Sequence, residues 1–149
     1  MTIDHAALDA LDGIPLKGER RYLVEQMAGP GVELIAGAVR DPSFGPVVMV
    51  GLGGVAAEAM RDSAVRLAPI TEFDALEMLD ELRGKALLDG FRGAPAADRA
   101  AIAQVLVALS QLMLDAPGIA EIDVNPLRAG PAGAIALDAL IVAQRAAGR

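Results

Sequence analysis

From Tyr22 onward, apolar residues either alternate with polar ones or gather in short blocks, and glycine or proline closes most blocks. Residues 22–27 predict a strand that stops at Ala28-Gly29-Pro30-Gly31. Residues 32–40 predict a second strand. Its alternation puts Val32, Leu34, Ala36 and Ala38 on one face and Glu33, Ile35, Gly37 and Val39 on the other. Asp41-Pro42-Ser43-Phe44-Gly45 is turn chemistry, and residues 46–51 then form a short, wholly apolar strand of the central kind. Three strands joined by short turns imply an antiparallel meander.

The period then changes. Gly51-Leu52-Gly53-Gly54 opens a helical turn or short helix over residues 55–60, and residues 63–67 read as another strand. Thr71 and Asp74 have the spacing of a capping-box variant at the start of a helix. Ala75, Met78, Leu79 and Leu82 supply the buried stripe of that helix, and Gly84 can end it. A short helical piece is expected over residues 85–88. The longest helix starts at residues 95–98 and carries Ile102, Val105, Leu106, Leu109, Leu112 and Met113 on its apolar face, until Pro117-Gly118 closes it. A hairpin follows over residues 119–142. Strands, then helices, then strands predict an α+β layer structure: a mainly antiparallel sheet with helices packed on one face. Residues 1–21 read as an irregular segment or connector, residues 22–143 as the domain, and residues 144–149 as a tail.

Composition narrows the function more than the fold. With 149 residues, 54% of them hydrophobic, the chain is one domain with a real core. A net charge of −7 argues against nucleic acid or an anionic membrane as partner. Zero cysteines exclude a disulfide scaffold, a thiolate zinc site and a cysteine nucleophile. No leader pattern and no apolar run of membrane-spanning length is visible, so the expected compartment is the cytoplasm.

The chemistry concentrates at Glu121-Ile122-Asp123-Val124-Asn125-Pro126-Leu127. Alternation puts Glu121, Asp123 and Asn125 on one side of a strand and Ile122 and Val124 on the other. Pro126 interrupts the ladder because it has no N–H to give. A tight turn over Ala129-Gly130-Pro131-Ala132-Gly133 would bring Asp138, on the returning strand, next to Asn125. Hard oxygen donors of this kind suit Mg²⁺ completed by waters and substrate phosphates. A solvated strand face with a turn asparagine has the same spacing. Gly51-Leu52-Gly53-Gly54 reads either as a phosphate cradle or as a tight turn needing a positive φ.

Several stretches, in order, resemble the C-terminal part of the ATP-grasp domain of NDP-forming acyl-CoA synthetases, the family of ADP-forming acetyl-CoA synthetase and of the succinyl-CoA synthetase β-subunit. They are Leu23-Val24-Glu25-Gln26-Met27, Gly31-Val32-Glu33-Leu34-Ile35-Ala36-Gly37, Arg40-Asp41-Pro42-Ser43-Phe44-Gly45-Pro46-Val47-Val48-Met49, Gly51-Leu52-Gly53-Gly54-Val55, Leu67-Ala68-Pro69-Ile70 and Glu121-Ile122-Asp123-Val124-Asn125-Pro126-Leu127. Together they span about four fifths of the chain. The resemblance implies that Glu25, Gln26, Met27 and Ala28 read the adenine of ATP or ADP and that Glu33 approaches the nucleotide. It implies that Asn125 and Asp138 hold Mg²⁺, with Asp123 as a further acidic ligand. It also implies an acid–CoA ligase reaction through a phosphohistidine carried on another domain.

The lysines that clamp phosphates in that family are not matched here. Lys17 and Lys85 are the only lysines and lie in no such motif, and His5, the only histidine, does not replace the phosphorylated one. The expected partners are therefore the N-terminal ATP-grasp half and the CoA-binding domain, and the chain alone is expected to be inactive. The alternative implied by the resemblance is a non-catalytic interaction or regulatory module, for example of a fused protein acetyltransferase. Nothing in the sequence selects an acyl group.

Overall fold

The computed structural model describes residues 25–54 and 62–144. Strand β1 (Val32–Asp41) turns back into β2 (Gly45–Leu52), and β3 (Ser63–Leu67) follows. Helix α1 (Glu72–Glu81), a 3-10 turn (Lys85–Leu87) and helix α2 (Arg99–Asp115) come next. The chain closes with β4 (Ile119–Gly130), β5 (Gly133–Ala136) and β6 (Ala139–Ala143). All pairings are antiparallel in the order β3-β2-β1-β4-β5, and β6 continues along the same edge of β4 as β5. Among the described residues, no helix is long and apolar enough to cross a membrane.

Period-two alternation builds a sheet with one covered face. Leu34, Ala36, Ala38, Val48, Val50, Leu52, Ala64, Ile122, Val124, Leu127 and Ala129 are buried under the helices, where they meet Ala75, Met78, Leu79, Ile102, Leu106 and Met113. Among the described residues, nothing covers the other face. It shows Val39, Val65, Leu67 and Leu140, each about half exposed or more. The β1–β2 turn forms because the Asp41 carboxylate accepts the backbone N–H groups of Ser43 and Phe44, at 2.8 and 2.9 Å. On the covered side Arg40 donates to the carbonyls of Met113, Ala116 and Ile119, and so satisfies the C-terminal end of α2.

Helix α1 starts as its sequence predicts. The Thr71 hydroxyl accepts the N–H of Asp74, and the Asp74 carboxylate accepts the N–H of Thr71 at 2.7 Å. The side-chain hydrogen bond from Thr71, and then the backbone one, hold the Asp74 carboxyl below its ordinary 3.8. A depressed folded-state pKa means that this contribution is present at neutral pH and is lost as pH falls through the lowered value. Replacing Thr71 with Ala is expected to cost about 1 kcal/mol of unfolding free energy at pH 7 and less in acid. Denaturant titrations at the two pH values measure the difference.

Four expectations need correction. The strand expected at residues 22–27 falls partly outside the described residues, and residues 25–27 are irregular, with Met27 at 89% exposure. Both edges of β1 are already occupied, by β2 and β4, so this segment has no ladder beside β1 to join. The meander is therefore β1-β2-β3. Leu112, expected on the buried face of α2, is 40% exposed, whereas Ala103 and Ser110 are buried. The stripe centres on Ile102, Leu106, Leu109 and Met113, and 3.6-residue geometry places Ala103 and Ser110 on its covered flank. Buried Ser110 keeps a partner by accepting the Ile70 N–H at 3.1 Å. Lastly, α1 ends at an extended Leu82, and Gly84 serves packing, since a Cβ there would lie 2.3 Å from Leu52 Cδ1. The short helix expected at residues 55–60 lies outside the described residues.

Candidate functional site

The acidic residues gather on the uncovered face. Glu121 and Asp123 project from β4 opposite in sense to the buried Ile122 and Val124, as alternation predicts. Asp123 pairs with Gly37 on β1. A Cβ on Gly37 would sit 2.9 Å from the Ile122 carbonyl oxygen, so glycine keeps the strands close and leaves the space beside the Asp123 carboxylate open. Gly37, Val39, Val47, Met49, Val65, Glu121 and Asp123 line a depression of about 280 Å³ on this face.

Asn125 and Asp138 meet where the returning strand breaks. The N–H of Asn125 donates to the Asp138 carbonyl at 3.2 Å, and the N–H of Leu137 donates to the Pro126 carbonyl at 3.0 Å. Both side chains are exposed, and the Asp138 carboxylate accepts the N–H of Ala139 at 2.8 Å. On the other side of β4 the register slips. Leu34 faces Leu127 while Ala36 faces Val124, so three steps on β4 oppose two on β1. This bulge falls on Asn125-Pro126, where proline has no N–H for the ladder, and bulges re-aim the side chains they carry.

Glu33 lies on the same open face, paired in register with Arg128, and the two side chains form an ion pair. The Glu33 carbonyl accepts the Gly53 N–H at 2.8 Å, and a Cβ on Gly53 would lie 3.0 Å from the Glu33 carbonyl carbon. Gly54 has φ +85°, which supports the tight-turn account of the glycine cluster. The remaining nucleotide candidates, Glu25, Gln26, Met27 and Ala28, lie in the irregular segment before β1 and belong to no strand. Sequence reasoning missed Arg128. Uniform alternation from Glu121 would have sent it into the core, and Pro126 was the only signal of a change in phase.

The candidate donors are hard oxygens. Among the described residues, no three histidine, cysteine or carboxylate side chains are close enough to hold an ion by themselves. Asp123, Asn125 and Asp138 offer only oxygen, which suits a Mg²⁺ ion whose shell is completed by water and phosphate oxygens. Among the described strands, Arg128 is the one cation on the open face. Arg66 pairs with Glu81, and Lys85 with Asp80, on the helix side.

These features define a class. Residues 13–143 match the ATP-grasp domain, and the chain belongs to that family. Its relatives include ADP-forming acetate–CoA ligases and a trans-feruloyl-CoA synthase. The β-subunit of ADP-forming acetate–CoA ligase I of Pyrococcus furiosus is 43% identical over 120 residues, which is 80% of this chain and 52% of that subunit. A trans-feruloyl-CoA synthase from an unknown prokaryotic organism is 41% identical over 91% of this chain and 18% of its own length. Acetyl-coenzyme A synthetase 1 of Candidatus Korarchaeum cryptofilum, solved with coenzyme A and Mg-AMPPCP, is 46% identical with a TM-score of 0.75. That likeness covers 78% of this chain and 55% of the archaeal one. The chain thus spans about half the length of the Pyrococcus subunit and under a fifth of the synthase.

Proposed function

We propose that this chain is the nucleotide- and magnesium-binding half of an ADP-forming acyl-CoA synthetase. The observation that carries the proposal is the placement of Asp123 and Glu33 on one uncovered sheet face, beside the point where Asn125 and Asp138 meet. In this reading Asn125, Asp138 and Asp123 hold Mg²⁺, which neutralises phosphate oxygens when bound. Glu25, Gln26, Met27, Ala28 and Glu33 contact ATP or ADP. The Mg-AMPPCP of the archaeal relative supports this assignment, as does the phosphohistidine segment described there as pointing towards the nucleotide site.

The reaction assigned to the whole enzyme is acyl-CoA + ADP + phosphate ⇌ acid + CoA + ATP. The N–P bond of a phosphohistidine on another domain breaks as an O–P bond forms to the β-phosphate of ADP. Such transfers depend on positioning and on charge neutralisation and need no protein nucleophile on the nucleotide side. Among the described strands the open face carries one cation and the exposed Val39, Val65, Leu67 and Leu140, so it needs a second, basic surface to enclose a polyanion. That surface is assigned to the N-terminal ATP-grasp half, and without it the chain turns nothing over. An acetate ligase and a trans-ferulate ligase match this chain nearly equally, which supports acyl selection outside it.

Calorimetry tests the reading. Mg-ADP is expected to give little heat with this chain alone and micromolar binding once the N-terminal half is supplied. An absence of heat in both experiments would favour a non-catalytic interaction module.

A further inference from the structure

One side chain bridges the segment before β1 and the strand β4. The Arg128 guanidinium reaches Glu33 through Nη2 and the Gly29 carbonyl oxygen through Nη1, the latter at 3.5 Å. Its Nε is enclosed and has no hydrogen-bond partner among the described residues. Side-chain exposure is 26% for Arg128 and 38% for Glu33, so the pair is partly withdrawn from water. The backbone beneath is equally close. A Cβ on Gly31 would lie 2.6 Å from the Ala129 carbonyl oxygen and 3.0 Å from Arg128 Cγ, and one on Gly130 would meet the Pro30 carbonyl oxygen at 3.1 Å. Pro30-Gly31 therefore lies close against Arg128-Ala129-Gly130.

We infer that Arg128 is a positioning residue that fixes the 25–31 segment and the Glu33 carboxylate onto β4, three residues beyond Asn125. This rests on the nucleotide reading given above. Its physical content has two parts. Arg128 neutralises Glu33, so that a carboxylate can stand near a polyphosphate without repelling it. It also sets the spacing between the segment assigned to the adenine and the strand assigned to the metal. A two-pronged guanidinium can hold a carboxylate and a carbonyl in one plane, which a lysine ammonium cannot.

Two measurements separate this from a general role in stability. In the full chain, Arg128→Met is expected to lower the backbone NMR order parameters of residues 25–31 below about 0.6 and to leave those of α2 unchanged. In the enzyme assembled with its N-terminal half, the same change should weaken Mg-ADP binding on the order of tenfold, with kcat little altered. Arg128→Lys should fall between wild type and Arg128→Met. Because part of the Arg128 effect runs through Glu33, the loss of Mg-ADP binding in Glu33→Gln combined with Arg128→Met should be smaller than the sum of the two single losses. Unchanged order parameters in residues 25–31 would overturn the inference. So would an equal fall in α2, or strictly additive binding losses in the double variant. If the wild-type assembly binds no Mg-ADP, the nucleotide reading and its coupling to Arg128 fall together, while the order parameters still decide whether Arg128 anchors the segment.

Discussion

Asn125→Ala and Asp138→Ala are each expected to lower nucleotide-dependent turnover of the assembled enzyme on the order of a thousandfold while leaving the domain folded. The magnitude follows from the role proposed for them. Metal-ion stabilisation of phosphoryl oxygens is worth several kcal/mol, and each ~1.4 kcal/mol is a factor of ten in rate. The intact fold follows from their position. Both side chains are exposed, and the hydrogen bond joining the two residues runs from main-chain N–H to main-chain carbonyl, which truncation at Cβ leaves in place. Initial rates of ATP formation across a Mg²⁺ titration measure the first effect. A thermal midpoint within about 2 °C of wild type checks the second. Unfolding of either variant would mean that the turn needs these side chains for itself.

Asp62→Ala is expected to be the most damaging stability change away from the site. Asp62 is 6% exposed, and its two carboxylate oxygens accept the N–H groups of Arg83 and Gly84, each at 2.9 Å. The Asp62 carbonyl accepts the Leu52 N–H at 3.2 Å, so one residue ties the end of β2 to the chain leaving α1. Alanine would leave two partly buried donors without their partner. The expected loss is about 3 kcal/mol, or a fall of roughly 10 °C in thermal midpoint for a domain of this size. Asp62→Asn keeps the shape and one acceptor oxygen, and about half the loss is expected. Circular dichroism melts of the two variants give the comparison, and equal midpoints for wild type and Asp62→Ala would remove Asp62 from the fastening of α1.

Much of this architecture was written in local patterns. Alternation along residues 32–40 separated the buried Leu34, Ala36 and Ala38 from Glu33 and Val39, and the spacing of Thr71 and Asp74 marked the start of α1. The meeting of Asn125 with Asp138 followed from a short glycine- and proline-rich turn, because a hairpin fixes register over so small a distance. What the sequence hid depends on non-local facts. Residues 25–27 have strand-like composition, but composition does not reveal whether a neighbouring edge is free. Ser110 looks like a polar interruption of a helix until the unpaired Ile70 N–H is brought beside it. Arg128 belonged to the open face only once Asn125-Pro126 had slipped the register against β1.

That slip gives β4 two hydropathy phases. Before Pro126 the odd-numbered positions look outward and the even-numbered ones inward, while after it Leu127 and Ala129 look inward and Arg128 outward. A redesign that treated the strand as one unbroken alternation would bury a guanidinium and push a leucine into water, although every residue would match the average preference of a β-strand.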